Sequence, residues 1–348
     1  MQMSGELLKN KIIVKKSKDV GRLYNKSGFG KPLKDNQLEL NLIEGVFLLG
    51  DGKIKIFSNK KEVNFRDLIK LSSEKIPGFE IKFLVFRDLR YRGFAVKLYD
   101  EKDFDLIIEK KEGEKTHLIS VFSERKNFDV KKSKELINEV DEKKANLWYA
   151  IVDEEGDLTY YEVSIFEPKG NVKKHTYSKD TGILLENRIV IFNESLAKTL
   201  LDKEFFGKPF GNGLQLSMVE AFYLMEKGVI EIREKAIGGR LSLKKFKTII
   251  KKTQPDIDDR LLVFKDLKKH GLIVKTGFKF GVHFRAYTKK PDLTHAEYLV
   301  HVVSKGFRRS WAEISRAVRL AHSVNKEIVF ARIHDKKIDY IKLGRLRP

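Results

Sequence analysis

LLVFKDLKKHGLIVK, residues 261–275, is written a second time in this chain, as FLVFRDLRYRGFAVK at 83–97. In both, apolar residues recur at helical spacing up to a glycine, Gly271 or Gly93, and then alternate with polar ones. That pattern predicts a helix closed by a cap glycine and followed by a half-buried strand. The match extends in both directions. GELLKNKIIV from Gly5 reads like GILLENRIVI from Gly182, GFGKPL from Gly28 like FFGKPF from Phe205, and LELNLIEGVFLLGDGKI from Leu38 like LQLSMVEAFYLMEKGVI from Leu214. THLISVF from Thr116 falls on EYLVHVV from Glu297, and ANLWYAIVDEEGDLTYYEV from Ala145 on KEIVFARIHDKKIDYIKL from Lys326. The offset stays between about 176 and 181. This is far longer than a solenoid period and reads as a duplicated domain.

The expected fold class is α+β, a tandem duplication. Each repeat combines a small mixed α/β N-terminal subdomain with an α/β, nuclease-like C-terminal subdomain. The first repeat is residues 1–166, the polar stretch 167–181 a linker, and the second repeat 182–348, divided near residue 255. Short strands are expected at Lys11–Val14 and Arg188–Phe192, and apolar-periodic helices at Gln37–Leu49 and Leu214–Lys227. Further helices are expected at Asn64–Ser73 and Leu243–Thr253. A strand should run from Tyr298 to Val303. A helix should follow from Ser310, placed as its N-cap, to about Ser323, and then a buried strand from Glu327 to Ile333.

The 348 residues contain no cysteine, which removes disulfides, thiolate metal sites and cysteine nucleophiles. No stretch has signal-peptide form or membrane-spanning length, so an intracellular, cytoplasmic protein is expected. The net charge is +21 and it is uneven: 36 basic against 31 acidic residues up to position 180, and 34 against 18 beyond it. Six of the eight histidines also lie in the second part. A field of that sign attracts polyanions, and nucleic acid is the expected partner.

Laying one copy on the other separates scaffold from chemistry. Core positions match, whereas His295 falls on Glu114, Lys326 on Ala145, and Tyr287 on Leu106 or Ile107. Tyrosine, histidine and lysine form a coherent group for cutting RNA without metal. The 2′-hydroxyl must lose a proton as it attacks phosphorus, the departing 5′-oxygen must gain one, and the phosphorane needs a cation. A histidine titrates in the range to donate, a lysine stabilises charge by proximity, and a cationic setting favours a phenolate base. Two other readings stand beside this one. A metal-dependent DNA junction nuclease would need clustered carboxylates, for which the loop offers Asp292 and Glu297. A non-catalytic structured-RNA-binding protein would need the charge alone.

HFRAY, then a loop to THAEYLVHV, then AVRLAHSVNKEIVFA, resembles the C-terminal catalytic domain of archaeal tRNA-splicing endonucleases (tRNA-intron lyases). The double-length chain with a degenerate, non-catalytic first copy is similar to the homodimeric two-repeat type. The resemblance implies Tyr287 as general base, His295 as general acid and Lys326 as transition-state stabiliser. It implies cleavage of precursor tRNA at bulge-helix-bulge junctions, leaving 2′,3′-cyclic phosphate and 5′-hydroxyl ends, with no metal and no other cofactor. It also implies two arginines stacked on a bulge base: Arg319 in AVRLAH, and Arg345 or Arg347 in LGRLRP. Finally, an acidic loop of the non-catalytic repeat, here Asp153, Glu154, Glu155 and Asp157 in VDEEGDL, docks into the catalytic repeat of a second copy. His301, alternating within its strand, reads as a sheet residue.

Overall fold

In the computed structural model, residues 2–109, 115–173, 175–234, 238–289 and 296–348 are described. The repeated stretch forms α1 (Phe79–Tyr91) and its copy forms a helix at Ile257–Lys269. Both end as their glycines dictate. Gly93 and Gly271 have φ of 91° and 77°, and the amides of Phe94 and Leu272 reach back to the carbonyls of Leu89 and Leu267.

The first repeat continues with β1 (Val96–Glu101), β2 (Phe104–Ile108), β3 (His117–Ser123), α2 (Val130–Glu142), β4 (Asn146–Val152) and β5 (Leu158–Ile165). The second, after α3 (Ile257–Lys269), repeats the order. It has β6 (Ile273–Thr276), β7 (Phe284–Tyr287), β8 (Tyr298–Val303), α4 (Trp311–Ser323), β9 (Glu327–His334) and β10 (Lys337–Leu346). These ten strands form one sheet, in the order β6-β7-β8-β9-β10-β5-β4-β3-β2-β1. The order is a palindrome of the duplication. At its centre β5 and β10 pair antiparallel, with the equivalent residues Val163 and Leu343 opposite each other. A local two-fold axis therefore passes between the copies.

The two C-terminal subdomains also share one core. Trp311, the first residue of α4 and 1% exposed, stacks on Tyr161 of the other repeat at 5.7 Å and meets Phe128 and Tyr149 at 5.2 and 5.6 Å. Helix α4 starts where Ser310 accepts the amide of Glu313, and its first amide donates to Lys126 of the first repeat. The two repeats are thus fused through backbone and core.

Each N-terminal subdomain is a smaller sheet with its own helices, with six strands in the first repeat and five in the second among the described residues. Here the expected helices at Gln37–Leu49 and Leu214–Lys227 need correction. Leu38–Asn41 and Gly213–Ser217 are strands, and the helices begin at Leu42 and Met218. The boundary is set by a capping box in each copy, Asn41 with Glu44 and Ser217 with Glu220. The spare oxygen of each glutamate accepts the amide of a distant glycine, Gly30 at 2.8 Å and Gly207 at 3.0 Å. Both glycines have positive φ, and a Cβ at either would meet strand backbone within 2.7 Å. The polar connection is anchored as well: the amides of Gly170 and Val172 donate to His270 and Gly271. The strand opening the second repeat begins at Asp180, two residues ahead of Gly182.

Candidate active site

The ladder places the expected residues. Ala286 of β7 pairs with Tyr298 of β8, which pairs with Glu327 of β9. One residue further along, Tyr287, Glu297 and Lys326 occupy the next row at the same end of the sheet. With strands about 4.8 Å apart, the backbones of Tyr287 and Lys326 are about 10 Å apart. The amides of Thr288 and Glu327 donate to the carboxylate and the carbonyl of Glu297, tying the row together. Tyr287, 7% exposed, packs on Ile273, Ala296, Val172 and Phe205, on the face opposite α3. His295, like Asp292 and the corresponding Glu114 of the first repeat, lies outside the described residues.

Lys326 follows Asn325, whose φ of 54° closes α4. Its amide donates to Ala321 and its ammonium to the carbonyl of Val324 at 3.0 Å, so it also serves as a helix C-terminal cation. The ammonium sits 5.7 Å from the Phe280 ring. Burial, with Arg285 and Lys279 adding like charge, holds it below its ordinary pKa. The Arg285 guanidinium is also 6.0 Å from the Tyr287 ring. A phosphodiester entering here would meet three cations.

The arginines expected to stack a base converge on one side chain. Arg345 pairs across the β5–β10 seam with Tyr161, whose hydroxyl donates to Ser315 at 2.9 Å. The guanidinium of Arg319, exposed on α4, is directed to the Ser315 carbonyl. Burial raises the Tyr161 pKa, and Ser315, Arg319 and Arg345 oppose that rise. Arg347, the alternative, is exposed beyond the end of β10.

The same ladder corrects the internal comparison. Val96 pairs with Ile108 as Val274 pairs with Ala286, so the counterpart of Tyr287 is Glu109, not Leu106 or Ile107. The Lys326–Ala145 equivalence holds, because Glu327 and Asn146 occupy matching places beside Tyr298 and His117. The correction exposes Arg285, which stands where the first repeat has Ile107. A charged residue facing an isoleucine across the copies was a signal in the sequence, hidden by the wrong register.

His301 belongs to the sheet, as read. Its ring lies 4.9 Å from His283 and 5.9 Å from Phe330, and burial pushes its pKa down to about 4. His283 accepts the Val302 amide on Nδ1 and faces Asp256 with Nε2 at 3.3 Å. In the first repeat the matching amide, Val121, donates to Asp105, which pairs with Lys82. The acidic residues 153–157 form the exposed turn between β4 and β5. There the Asp153 carboxylate accepts the amides of Glu155 and Asp157, and Glu154 pairs with Arg125. Among the described residues, no group of three or more His, Asp or Glu is placed to hold a metal ion, and no helix is long and apolar enough to cross a membrane.

The catalytic C-terminal domain of tRNA intron endonucleases matches this chain twice, at residues 79–160 and 257–340. The N-terminal domain of the same enzymes matches at 3–69 and 181–246. The chain belongs to the tRNA intron endonuclease family. It is a two-repeat member, with each family domain present twice. Similar full-length relatives are the tRNA-splicing endonucleases of Methanococcoides burtonii, 36% identical over 99% of this chain and 100% of the relative, and of Methanosarcina barkeri, 33% identical over 98% and 99%. That of Halobacterium salinarum is 30% identical over 94% of this chain and 95% of its own length.

Proposed function

We propose that this endonuclease removes introns from precursor tRNA at bulge-helix-bulge junctions by metal-free transesterification, using only its second repeat. Tyr287 takes the proton of the 2′-hydroxyl and the 2′-oxygen attacks phosphorus. Lys326 stabilises the phosphorane, and His295 protonates the 5′-oxygen as the P–O bond breaks. The products are a 2′,3′-cyclic phosphate and a 5′-hydroxyl. Holding the nucleophile on the substrate supplies much of the rate. Arg319 and Arg345, gathered around Tyr161, hold an unstacked base between their planes. The observation that carries this reading is the row Tyr287–Glu297–Lys326 beside Arg285, set against Glu109, Ala145 and Ile107 in the first repeat. Incubating an intron-bearing precursor with the enzyme in EDTA tests it: discrete fragments with cyclic-phosphate ends are expected. The variant His295→Ala should bind the precursor as wild type does and cleave it at least a hundredfold more slowly. Undiminished cleavage by that variant, or loss of wild-type activity on chelation, removes the proposal.

The working unit is a homodimer, with the 153–157 turn of one copy docked on the second repeat of the other. A cleft of about 510 Å³ between the two subdomains of that repeat supports this reading. It is lined by Arg260, His283 and Ser217, and beside it Phe278 is 92% exposed. A cation within reach of an aromatic anchor suits an acidic turn. Sedimentation should show a dimer for the wild type and a monomer for Glu155→Lys/Asp157→Lys. A dimer in both cases rejects the docking.

A further inference from the structure

A second basic feature lies away from the cleavage site. A cleft of about 660 Å³ opens between α3 and the turn joining β9 to β10, lined by Lys134, Lys265, Lys269, Lys336, Lys337 and His334 together with Asp266 and Asp339. Both acids are already engaged. Asp339, 5% exposed, is bound by Arg332, Lys134 and His334, and Asp266 accepts the Tyr340 hydroxyl at 2.9 Å. Lys265 pairs with Glu226. Among the described residues, Lys269, Lys336 and Lys337 form no ion pair, and all three are exposed. The cleft therefore presents uncompensated positive charge.

The duplication shows that the fold does not require this charge. In the first repeat Tyr160 makes the matching hydrogen bond to Asp88, at 2.7 Å. Yet Tyr91 stands in the place of Lys269, and the hairpin turn is the acidic 153–157 segment instead of HDKK. The scaffold is the same and the charge is inverted. The cleft is also remote from the chemistry. β9 runs eight residues from Glu327, next to Lys326, to His334. At about 3.3 Å per residue the cleft is about 25 Å from the scissile phosphate.

We infer that this cleft binds the phosphate backbone of the substrate RNA outside the junction that is cut, as a sequence-independent anchor for the body of the precursor. The inference rests on the proposed endonuclease reading. Phosphates are the occupant the lining suits, because it offers exposed, unpaired ammonium donors and no aromatic anchor, the pattern of backbone contacts. The acidic turn of a second copy is matched better by the cleft beside Phe278, which has both.

The test compares two RNAs, a full-length precursor and a short duplex carrying only the junction, with binding read by fluorescence anisotropy and cleavage read in parallel. For Lys269→Ala/Lys336→Ala/Lys337→Ala, affinity for the precursor should fall tenfold or more at moderate salt. The slope of log affinity against log salt should become shallower by about one per lysine. Binding and cleavage of the short duplex should not change, and the three Lys→Arg replacements should restore the precursor affinity. Equal losses on both RNAs, no loss on either, or conversion of a dimer to a monomer would overturn the inference. Failure of the wild type to cleave either RNA would instead remove the endonuclease reading. The ratio of the two affinities reports the anchor independently of cleavage.

Discussion

The two C-terminal subdomains are one fold carrying different side chains at its ends. Their helices end on equivalent glycines, their strands pair in the same register, and Tyr160 and Tyr340 hold Asp88 and Asp266 alike. The differences that bear on the proposed function collect in two places. At the sheet end, Tyr287, Arg285 and Lys326 replace Glu109, Ile107 and Ala145; at the hairpin turn, lysines replace acids. A shared sheet explains how this is tolerated. Packing and backbone pairing keep the fold, so residues at strand ends and turns are free to specialise in one copy and lapse in the other.

The comparison breaks most severely if the shared core is removed. Trp311→Ala should cost about 3–5 kcal/mol, because removing a buried indole of the second repeat from its ring partners Phe122, Phe128, Tyr149 and Tyr161 in the first leaves a cavity. Chemical denaturation is expected to report one cooperative loss affecting both halves. A transition confined to the second repeat would mean that the copies are energetically separate. Next in size is the catalytic asymmetry. Lys326→Ala should lower kcat by about 10²–10³, as loss of a charge-stabilising donor does. Ala145→Lys should restore nothing, since that site lacks the tyrosine. Comparable activity in Lys326→Ala would erase the functional difference between the copies.

The smallest effect is titration. His301, neutral and half-buried, has its folded pKa depressed to about 4 from an ordinary value near 6.5. As pH falls through that window the unfolded chain takes the proton first, so stability drops, by about 2 kcal/mol between pH 8 and pH 5. His283, lowered by burial and by Arg260, moves the same way. The first repeat has Ser120 and Asp105 in those places, held at the Asp103 carbonyl and the Val121 amide. Thermal melts from pH 8 to pH 5 should therefore decline less in His301→Asn than in the wild type. Identical slopes would assign the acid sensitivity elsewhere.

Much of this was legible from a single chain because the duplication acts as its own alignment. The glycine-capped helices, the strand at Tyr298–Val303 and the Ser310 cap are local signals, and local physics decides them. The helix starts at Leu42 and Met218 were misread because apolar strand residues ran straight into apolar helix residues. Only the capping boxes mark the join. The counterpart of Tyr287 was misplaced because a gap in a loop cannot be positioned without the hydrogen-bond ladder. The fusion of the two C-terminal subdomains was not legible at all. Strands β5 and β10 are remote in sequence, and alternation within each says which face is buried but not which neighbour it has.

The seam between Val163 and Leu343 carries a consequence for inheritance. Because the two copies are covalently one polypeptide and meet edge to edge, every translated molecule contains them in equal number. A change at a strand end or turn of one copy alters that copy alone, whereas a change in the seam disturbs the packing of both. Divergence is thereby channelled into strand ends and turns, where the charges of the two copies now differ.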